Sequence, residues 1–253
     1  MSGVGAMWRY VTGKRACAKV TATAVCVLAA LLSASSLGIA PAAAAVPVQG
    51  LDVSSHQTSV NWTTVHSSGA QFAYVKATEG ISITNASFAS EYNGSYRAGL
   101  IRGAYHFAHP NTSSGAAQAR YFVANGGGWS ADGRTLPGAL DVEANPHGPA
   151  CYGLSRSAMV AWIADFARTY HALTSRWPVI YTSTNWWTAC TGGYTGFAAE
   201  DPLWVARYAA SPGALPAGWA SYTFWQYAPS GTFPGDQDIF NGSNARLEAL
   251  AVG

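Results

Sequence analysis

An alternation of strand-like and helix-like segments along residues 48–182 is the feature that most constrains this fold. Each of the first four apolar, strand-like runs is followed by a segment with helical spacing of its apolar residues. After residue 182, three strand-like runs follow with only loops between them. This pattern predicts a parallel α/β sheet, either a small barrel that lacks its last helices or an open doubly wound sheet. The predicted strands are 48–53, 72–77, 101–107, 138–143, 178–182, 203–206, 222–227 and 237–240, and the predicted helices are 62–68, 86–98, 116–125, 155–171 and 244–250.

The first 45 residues have the organisation of a secretory signal peptide. Four basic residues precede an apolar, alanine-rich stretch over 20–40, and the run Ala42 to Ala45 offers small-residue cleavage sites. The alternative is an uncleaved membrane anchor, because the apolar stretch approaches the length of a membrane span. Cleavage would leave one domain over 46–253, which we expect to be extracellular and free of the membrane.

Removal of this leader changes the charge of the chain. The whole sequence has 14 Lys and Arg residues against 12 Asp and Glu, but Arg9, Lys14, Arg15 and Lys19 lie in the leader, so 10 basic residues remain against the 12 acidic ones. The mature chain is therefore slightly acidic, which argues against nucleic acid as a partner. Charged residues make up only 10% of the sequence, a composition that suits work on a neutral polar polymer.

The cysteines predict one disulfide bond. Cys17 and Cys26 leave with the leader, whereas Cys151 and Cys190 remain in an oxidising compartment and are expected to pair. A metal site is not expected from two cysteines without a CxxC motif.

Two acids at the end of the fourth predicted strand carry the main chemical signal. Asp141 and Glu143 are separated by one residue, so on a strand their side chains emerge on the same side. Repulsion between them raises the pKa of one partner, and a carboxyl group that stays protonated near neutral pH can act as a general acid. Further polar residues end the other predicted strands, and these are Asp52, Glu79, His106, His109, Tyr181, Gln226, Tyr227 and Asp238.

Paired carboxyl groups together with many aromatic residues suggest glycoside hydrolysis. The sequence contains 10 Trp and 13 Tyr, whose flat apolar faces can pack on sugar rings. Candidates for such packing are Tyr105, Tyr181, Trp186, Trp187, Trp204 and Trp225.

Several motifs, in order along nearly the whole chain after the leader, resemble those of the glycoside hydrolase family 25 lysozymes of the fungal Chalaropsis and streptomycete type. The matching runs are Gly50 to Gln57 (GLDVSSHQ), Val75 to Gly80 (VKATEG), Gly103 to Pro110 (GAYHFAHP), Leu140 to Glu143 (LDVE), Trp225 to Tyr227 (WQY) and Asp238 to Gly242 (DIFNG).

This resemblance implies a single-domain, modified TIM-like (β/α)5β3 barrel that cleaves the β-1,4 bond between N-acetylmuramic acid and N-acetylglucosamine in peptidoglycan. It makes Glu143 the general acid and Asp141 the assisting carboxylate, with Asp52 and Asp238 as further catalytic acids. We expect a monomer without a cofactor or metal, and expect Asp236 to be solvated and dispensable. The expected substrate-binding residues are Glu79, Tyr105, His106, Phe107, Tyr181, Trp225 and Gln226.

Three other functions compete with this one. A chitinase-like hydrolase would carry two more acids before the pair, where this chain has Leu136 and Ala139. A metal-dependent hydrolase could use Asp52, His106 and His109, although the two histidines would not share a strand face. The third is a wall-binding protein without catalysis. The sequence leaves retaining, inverting and substrate-assisted mechanisms open, and the substrate-assisted one is preferred.

Overall fold

A computed structural model describes residues 47–57 and 59–253; the predicted leader over 1–45 lies outside these ranges. One sheet of nine strands runs through the described part of the chain. Its strands are β1 (Val48–Val53), β2 (Phe72–Glu79), β3 (Ile83–Thr84), β4 (Ile101–Phe107), β5 (Ala139–Asp141), β6 (Val179–Thr182), β7 (Leu203–Ala206), β8 (Phe224–Ala228) and β9 (Asp236–Phe240).

Eight of these strands close into a barrel, which confirms the predicted (β/α)5β3 architecture. The order is β1-β9-β8-β7-β6-β5-β4-β2, and pairing between β1 and β2 closes the ring. Within this ring all neighbouring strands run parallel except β9, which is antiparallel to both β8 and β1. The short β3 lies outside the ring and pairs only with the end of β2. The carboxyl ends of the parallel strands therefore meet at one open end of the barrel.

The helices cover the outside of the barrel and occur mainly after the first five barrel strands. Four of them begin at a serine whose hydroxyl accepts a hydrogen bond from a backbone N–H of the first turn, an arrangement that stabilises a helix start. The helices are α1 (Trp62–Ser67), α2 (Phe88–Ala98), α3 (Gly115–Phe122), α4 (Arg156–Thr174), α5 (Thr184–Thr191) and α6 (Asn244–Val252), and a π-helical turn over Val123–Gly127 extends α3.

The helix α5 and the short strand β3 are additions to the elements read from the sequence pattern. The segment of α5, Thr184–Thr191, carries three threonines and two adjacent tryptophans, which are weak helix formers, so its periodicity does not stand out. The disulfide between Cys151 and Cys190 is confirmed, with a Cα–Cα distance of 5.3 Å. It joins the loop after β5 to α5.

Strand alternation separates the inside of the barrel from the layer under the helices. Aromatic side chains fill the interior, where the rings of Tyr74 and Trp204 stack at 4.8 Å and those of Phe72 and Phe224 lie 5.1 Å apart. Gly103 on β4 makes room for this core, because a Cβ atom there would overlap the ring of Tyr74. The aromatic layer fills the barrel interior and leaves the open end to polar side chains.

Candidate active site

A groove lies at the open end of the barrel, where the parallel strands end. It encloses about 240 Å³ and is lined largely by polar and aromatic side chains. The lining residues are Asp52, Val53, Ser54, His56, Gln57, Lys76, Tyr105, Phe107, Asp141, Glu143, Tyr181, Trp204, Gln226 and Asp236. A second cavity of about 170 Å³, here the side cavity, is lined by Glu143, Tyr181, Ala206, Arg207, Tyr208 and Gln226. Glu143, Tyr181 and Gln226 line both cavities, so the two adjoin.

The side-chain amide of Gln226 holds two groove carboxyl groups in place. Its Nε2 donates hydrogen bonds to Asp52 Oδ2 at 2.7 Å and to Asp236 Oδ2 at 3.0 Å. Its Oε1 accepts a hydrogen bond from the Tyr181 hydroxyl at 2.8 Å, which fixes the orientation of the amide. Tyr181 and Gln226, predicted to bind substrate, therefore also position the acids.

Asp238 lies beneath Asp52, away from the groove surface. It is fully buried, and its Oδ1 accepts a hydrogen bond from Trp204 Nε1 at 2.9 Å. Burial, with a further contribution from the charge of Asp52, raises the pKa of Asp238 well above its usual range. Burial, with a further contribution from the charge of Asp236, raises the pKa of Asp52 to about 7.

Asp236 corrects an expectation from the sequence, because it is neither fully solvated nor remote from the groove. It is half-buried, lines the groove and accepts the hydrogen bond from Gln226. In the β1–β9 register Asp236 lies opposite Asp52, whereas Asp238 lies opposite Gly50, one layer deeper. Asp236 therefore reaches the groove, whereas Asp238, which the sequence predicted as a groove acid, lies below Asp52.

Asp141 and Glu143 both line the groove, as their spacing predicts. Asp141 is the last residue of β5 and is buried, and its Oδ1 has no hydrogen-bond partner among the described residues. Burial and the charge of Glu143 raise the pKa of Asp141 well above its usual range. Burial also raises the pKa of the half-buried Glu143, while Lys76 opposes that change and Asp236 adds to it. Protonation of this pair is therefore favoured over that of exposed carboxyl groups.

Lys76 brings a cation to the groove wall. Its ammonium group lies 2.6 Å from Glu79 Oε2 and 4.8 Å from the centre of the Phe107 ring. The other Glu79 oxygen accepts a hydrogen bond from His109 Nε2 at 2.8 Å. Although burial opposes the effect, the hydrogen bonds from Lys76 and His109 lower the pKa of Glu79. Glu79 is thus a partly buried, ionised anchor for Lys76 behind the groove lining.

His106 and Trp225, predicted to bind substrate, lie on the outer face of the barrel wall. His106 packs between Phe122 of α3 and Phe166 of α4, with ring centres 5.6 and 5.4 Å away. Trp225 packs in an outer apolar cluster and donates its Nε1 hydrogen bond to the Arg207 carbonyl. Each is a strand neighbour of a groove residue, so alternation turns its side chain outward. Because His106 and Asp52 lie on opposite faces of the wall, they cannot share a metal.

The aromatic predictions are partly confirmed in position. Tyr105, Phe107 and Tyr181 line the groove, as does Trp204. Trp186 and Trp187 instead belong to the core between barrel and helices. The main residues that the sequence reading did not include are Lys76, Arg207 and Tyr208, together with the loop that follows β1. The run VKATEG did contain Lys76, and alternation along β2 from the interior Tyr74 places it on the inner face.

The geometry supports acid-assisted cleavage of a polar, extended substrate. Carboxyl groups from β1, β5 and β9 converge on one groove, and aromatic rings form its walls. Burial keeps part of this set protonated, which supplies a proton donor beside carboxylates that can stabilise positive charge. The groove thus has the acids and the aromatic surface of a glycoside hydrolase.

Known proteins resemble this chain over most of its described length. The sequence profile of glycosyl hydrolases family 25 matches residues 51–236. Lysozyme M1 of Streptomyces globisporus is 54% identical over 209 residues, which are 81% of this chain and 71% of that protein. The N,O-diacetylmuramidase of Chalaropsis sp is 51% identical over 210 residues, covering 81% of this chain and 100% of the relative.

Solved structures agree with this match. The muramidase from Acremonium alcalophilum superposes with a TM-score of 0.80 at 57% identity, covering 81% of this chain and 99% of the other. Both the sequence profile and the fold are thus shared along the domain that carries the groove. The chain belongs to glycosyl hydrolases family 25.

Proposed function

We propose that this glycoside hydrolase is a muramidase that cleaves the β-1,4 bond between N-acetylmuramic acid and N-acetylglucosamine in bacterial peptidoglycan. Relatives named lysozyme and N,O-diacetylmuramidase, at 54% and 51% identity, support this substrate. The observation that carries the proposal is the position of Glu143, whose half-buried side chain borders both the groove and the side cavity. A sugar strand lying across both cavities passes over this carboxyl group.

Glu143 is the general acid in this proposal. It follows β5 by two residues, and its longer side chain reaches further from the strand than that of Asp141. Burial raises the pKa of Glu143, which favours the protonated form that a general acid needs to donate to the leaving glycosidic oxygen. Its partial exposure lets it contact substrate and afterwards regain a proton from water.

Asp141 assists by orienting the substrate's acetamido group, whose oxygen acts as the nucleophile. The Asp141 oxygen without a partner in the described ranges supports this role, since an N–H group of bound substrate could donate to it. Substrate assistance retains the anomeric configuration. We expect ¹H NMR of the first product to show the β anomer, and an initial α anomer would contradict this mechanism.

Asp52, Asp236 and Asp238 form the supporting set. Asp52 faces the groove and stabilises the oxocarbenium-like state when it is ionised, while the buried Asp238 lies below it. Gln226 and Tyr181 keep this arrangement fixed through their hydrogen bonds. We therefore assign Asp238 a positioning role and give Asp236 a place in the groove.

We further propose that the mature enzyme is secreted as a monomer over 46–253. The leader-like composition of residues 1–45 and the Cys151–Cys190 disulfide support export to an oxidising compartment. None of the helices in the described ranges is long and apolar enough to cross a membrane. Amino-terminal sequencing of protein from the culture medium should begin near residue 46, and light scattering should give a monomer mass.

Mass spectrometry of digested peptidoglycan tests the reaction itself. Purified cell walls are incubated with the mature protein, and the reducing-end sugar of each released fragment is identified after borohydride reduction. We expect reduced N-acetylmuramic acid at the new ends. Reduced N-acetylglucosamine would mean a glucosaminidase, and cleavage of chitin oligomers with intact cell walls would favour the chitinase-like alternative.

A further inference from the structure

Arg207 stands at the edge of the side cavity, directly after β7. Its backbone is fixed on both sides, because its N–H donates to the Gln226 carbonyl at 3.0 Å and its own carbonyl accepts from Trp225 Nε1 at 2.8 Å. The guanidinium group lies over Gly213, where a Cβ atom would overlap Arg207 Nη1. The backbone is thus rigid, and the missing side chain at residue 213 leaves space for the cation.

No residue in the described part of the protein forms an ion pair with Arg207. Lys76, the other cation near the catalytic acids, is paired with Glu79. By contrast, the Arg207 guanidinium makes no salt bridge or side-chain hydrogen bond to any residue in 47–57 and 59–253. It is an exposed, unpaired cation beside a groove whose other lining charges are mostly carboxyl groups.

Tyr208 gives the side cavity a surface for a sugar ring. Its side chain is 55% exposed and follows the exposed Arg207 directly in the chain. Its hydroxyl donates to Asp236 Oδ2 over 3.4 Å, which ties one end of the ring to the groove. An exposed aromatic face next to a guanidinium group can bind a sugar that also carries a negative charge.

We propose that the side cavity binds a muramic acid residue of the substrate strand and that Arg207 pairs with a carboxylate on it. This inference rests on the proposed muramidase function, and it names the group by which the enzyme would prefer peptidoglycan to chitin. The carboxylate is either the free lactyl group of muramic acid or an acid of the attached peptide. Both present the planar oxygens that a guanidinium group binds with two parallel hydrogen bonds.

The expected effect follows from the exposure of Arg207. A solvent-exposed ion pair contributes modestly to binding, so replacement of the cation should raise KM by about fivefold. The effect should fall on KM rather than kcat, because the pair forms in the bound ground state and persists through the reaction. It should also shrink at high ionic strength, since salt screens exposed charges.

The test compares Arg207→Gln with wild type and with Arg120→Gln. Arg120 is exposed on α3, outside the barrel, so its replacement removes the same charge away from the groove. Initial rates are measured on glycan strands freed of peptides by an amidase and on strands that keep them. The inhibition constant of an N-acetylglucosamine tetramer serves as the carboxylate-free probe.

We expect Arg207→Gln to raise KM on at least one kind of strand while tetramer inhibition stays within twofold of wild type. An effect on peptide-free strands identifies the lactyl carboxylate, and an effect confined to peptide-bearing strands identifies the peptide. An unchanged KM on both strands, or an equal loss with the tetramer or with Arg120→Gln, overturns the proposal. If wild type leaves both strands uncut, the muramidase function itself fails.

Discussion

Two buried polar clusters lie on opposite faces of the same barrel wall, and they differ in how completely their hydrogen bonds are made. The histidine cluster consists of Thr78, His106 and Gln118 on the outer face. The acid cluster, on the inner face, consists of Asp52, Asp141, Glu143, Asp236 and Asp238. Both contain residues of the kinds that sequence reasoning associates with catalysis.

In the histidine cluster every ring and amide atom has a partner. His106 Nε2 donates to Gln118 Oε1 at 2.9 Å, and Nδ1 accepts from the Thr78 hydroxyl at 2.7 Å. The Gln118 amide donates in turn to the His109 carbonyl and to Ser113. Burial lowers the pKa of His106 to about 4, so the ring is neutral and part of the packing.

The acid cluster, by contrast, contains oxygen atoms that lack a hydrogen-bond partner among the described residues. Asp141 Oδ1, at the groove, and Asp238 Oδ2, below Asp52, have no hydrogen-bond donor within 47–57 and 59–253. An unsatisfied buried oxygen destabilises a fold, so the one on Asp141, which lines the groove, indicates a site kept ready for substrate. A completed polar cluster therefore stabilises this protein, and an incomplete one is available for chemistry.

Replacing the proposed acid should give the largest effect. We expect Glu143→Gln to lower kcat on peptidoglycan by about 10³-fold, because general acid catalysis contributes on that order. Stability should be equal or higher, since one of several repelling carboxyl groups is removed. Turbidity assays of cell-wall lysis and urea unfolding measure the two quantities. Glu248→Gln, on the exposed face of α6, is the matched control, and a lytic Glu143→Gln enzyme would contradict the assignment.

The pH dependence of stability should reveal Asp52. Its pKa is about 7 in the folded protein and about 3.9 in an unfolded chain, so the native state holds the extra proton between these values. Stability from this group is full below pH 4 and is lost as the pH rises through 7, by up to about 4 kcal/mol. Urea unfolding from pH 4 to 8 should show a shallower decline for Asp52→Asn. An unchanged slope would refute the raised pKa.

The stability that the histidine cluster contributes should change with pH in the opposite direction. We expect His106→Ala to lower the free energy of unfolding by about 3 kcal/mol at pH 7, because it leaves a cavity and unpaired Thr78 and Gln118 groups. Because the pKa of His106 is lowered, this residue stabilises the wild type at neutral pH, and that stability is lost as the pH falls from 6.5 towards 4. The difference in unfolding free energy between wild type and His106→Ala should therefore become smaller in acid. Urea unfolding checks this, and kcat per folded molecule should be unchanged.

The comparison also separates what sequence could predict from what it could not. The eight strands and the convergence of Asp52, Asp141 and Glu143 follow from alternation and from strand ends meeting at one face, whereas the choice of a barrel over an open sheet comes from the family resemblance. The sequence does not predict whether a residue such as His106 faces the inside or the outside of the barrel. Strands of a parallel barrel are apolar on both sides, so no polar alternation marks the two faces. A bulge between Lys76 and Thr78 shifts the β2–β4 register, and Thr78 reaches His106 on the outer side.

The sequence also could not predict how deep a residue lies along the barrel axis. Asp236 and Asp238 are two residues apart on β9, so alternation alone places both on the inner face. Only the pairing of β9 with β1, which sets Asp236 opposite Asp52, decides which acid reaches the groove. The sequence motifs predicted Asp238 as the acid that faces the groove, whereas the register places Asp236 there.

A pair of substitutions on β9 should sharpen this last distinction, with the smallest expected effect. Asp236 raises the pKa of Glu143, so Asp236→Asn should shift the alkaline limb of the activity profile, where Glu143 loses its proton, to lower pH. We expect kcat/KM at neutral pH to fall about threefold. Asp238→Asn should leave that limb in place, because Asp238 neither lines the groove nor perturbs Glu143. Activity profiles from pH 4 to 9 compare the two variants. A shift in Asp238→Asn alone would show that the buried acid, rather than the one at the groove surface, controls the proton on Glu143.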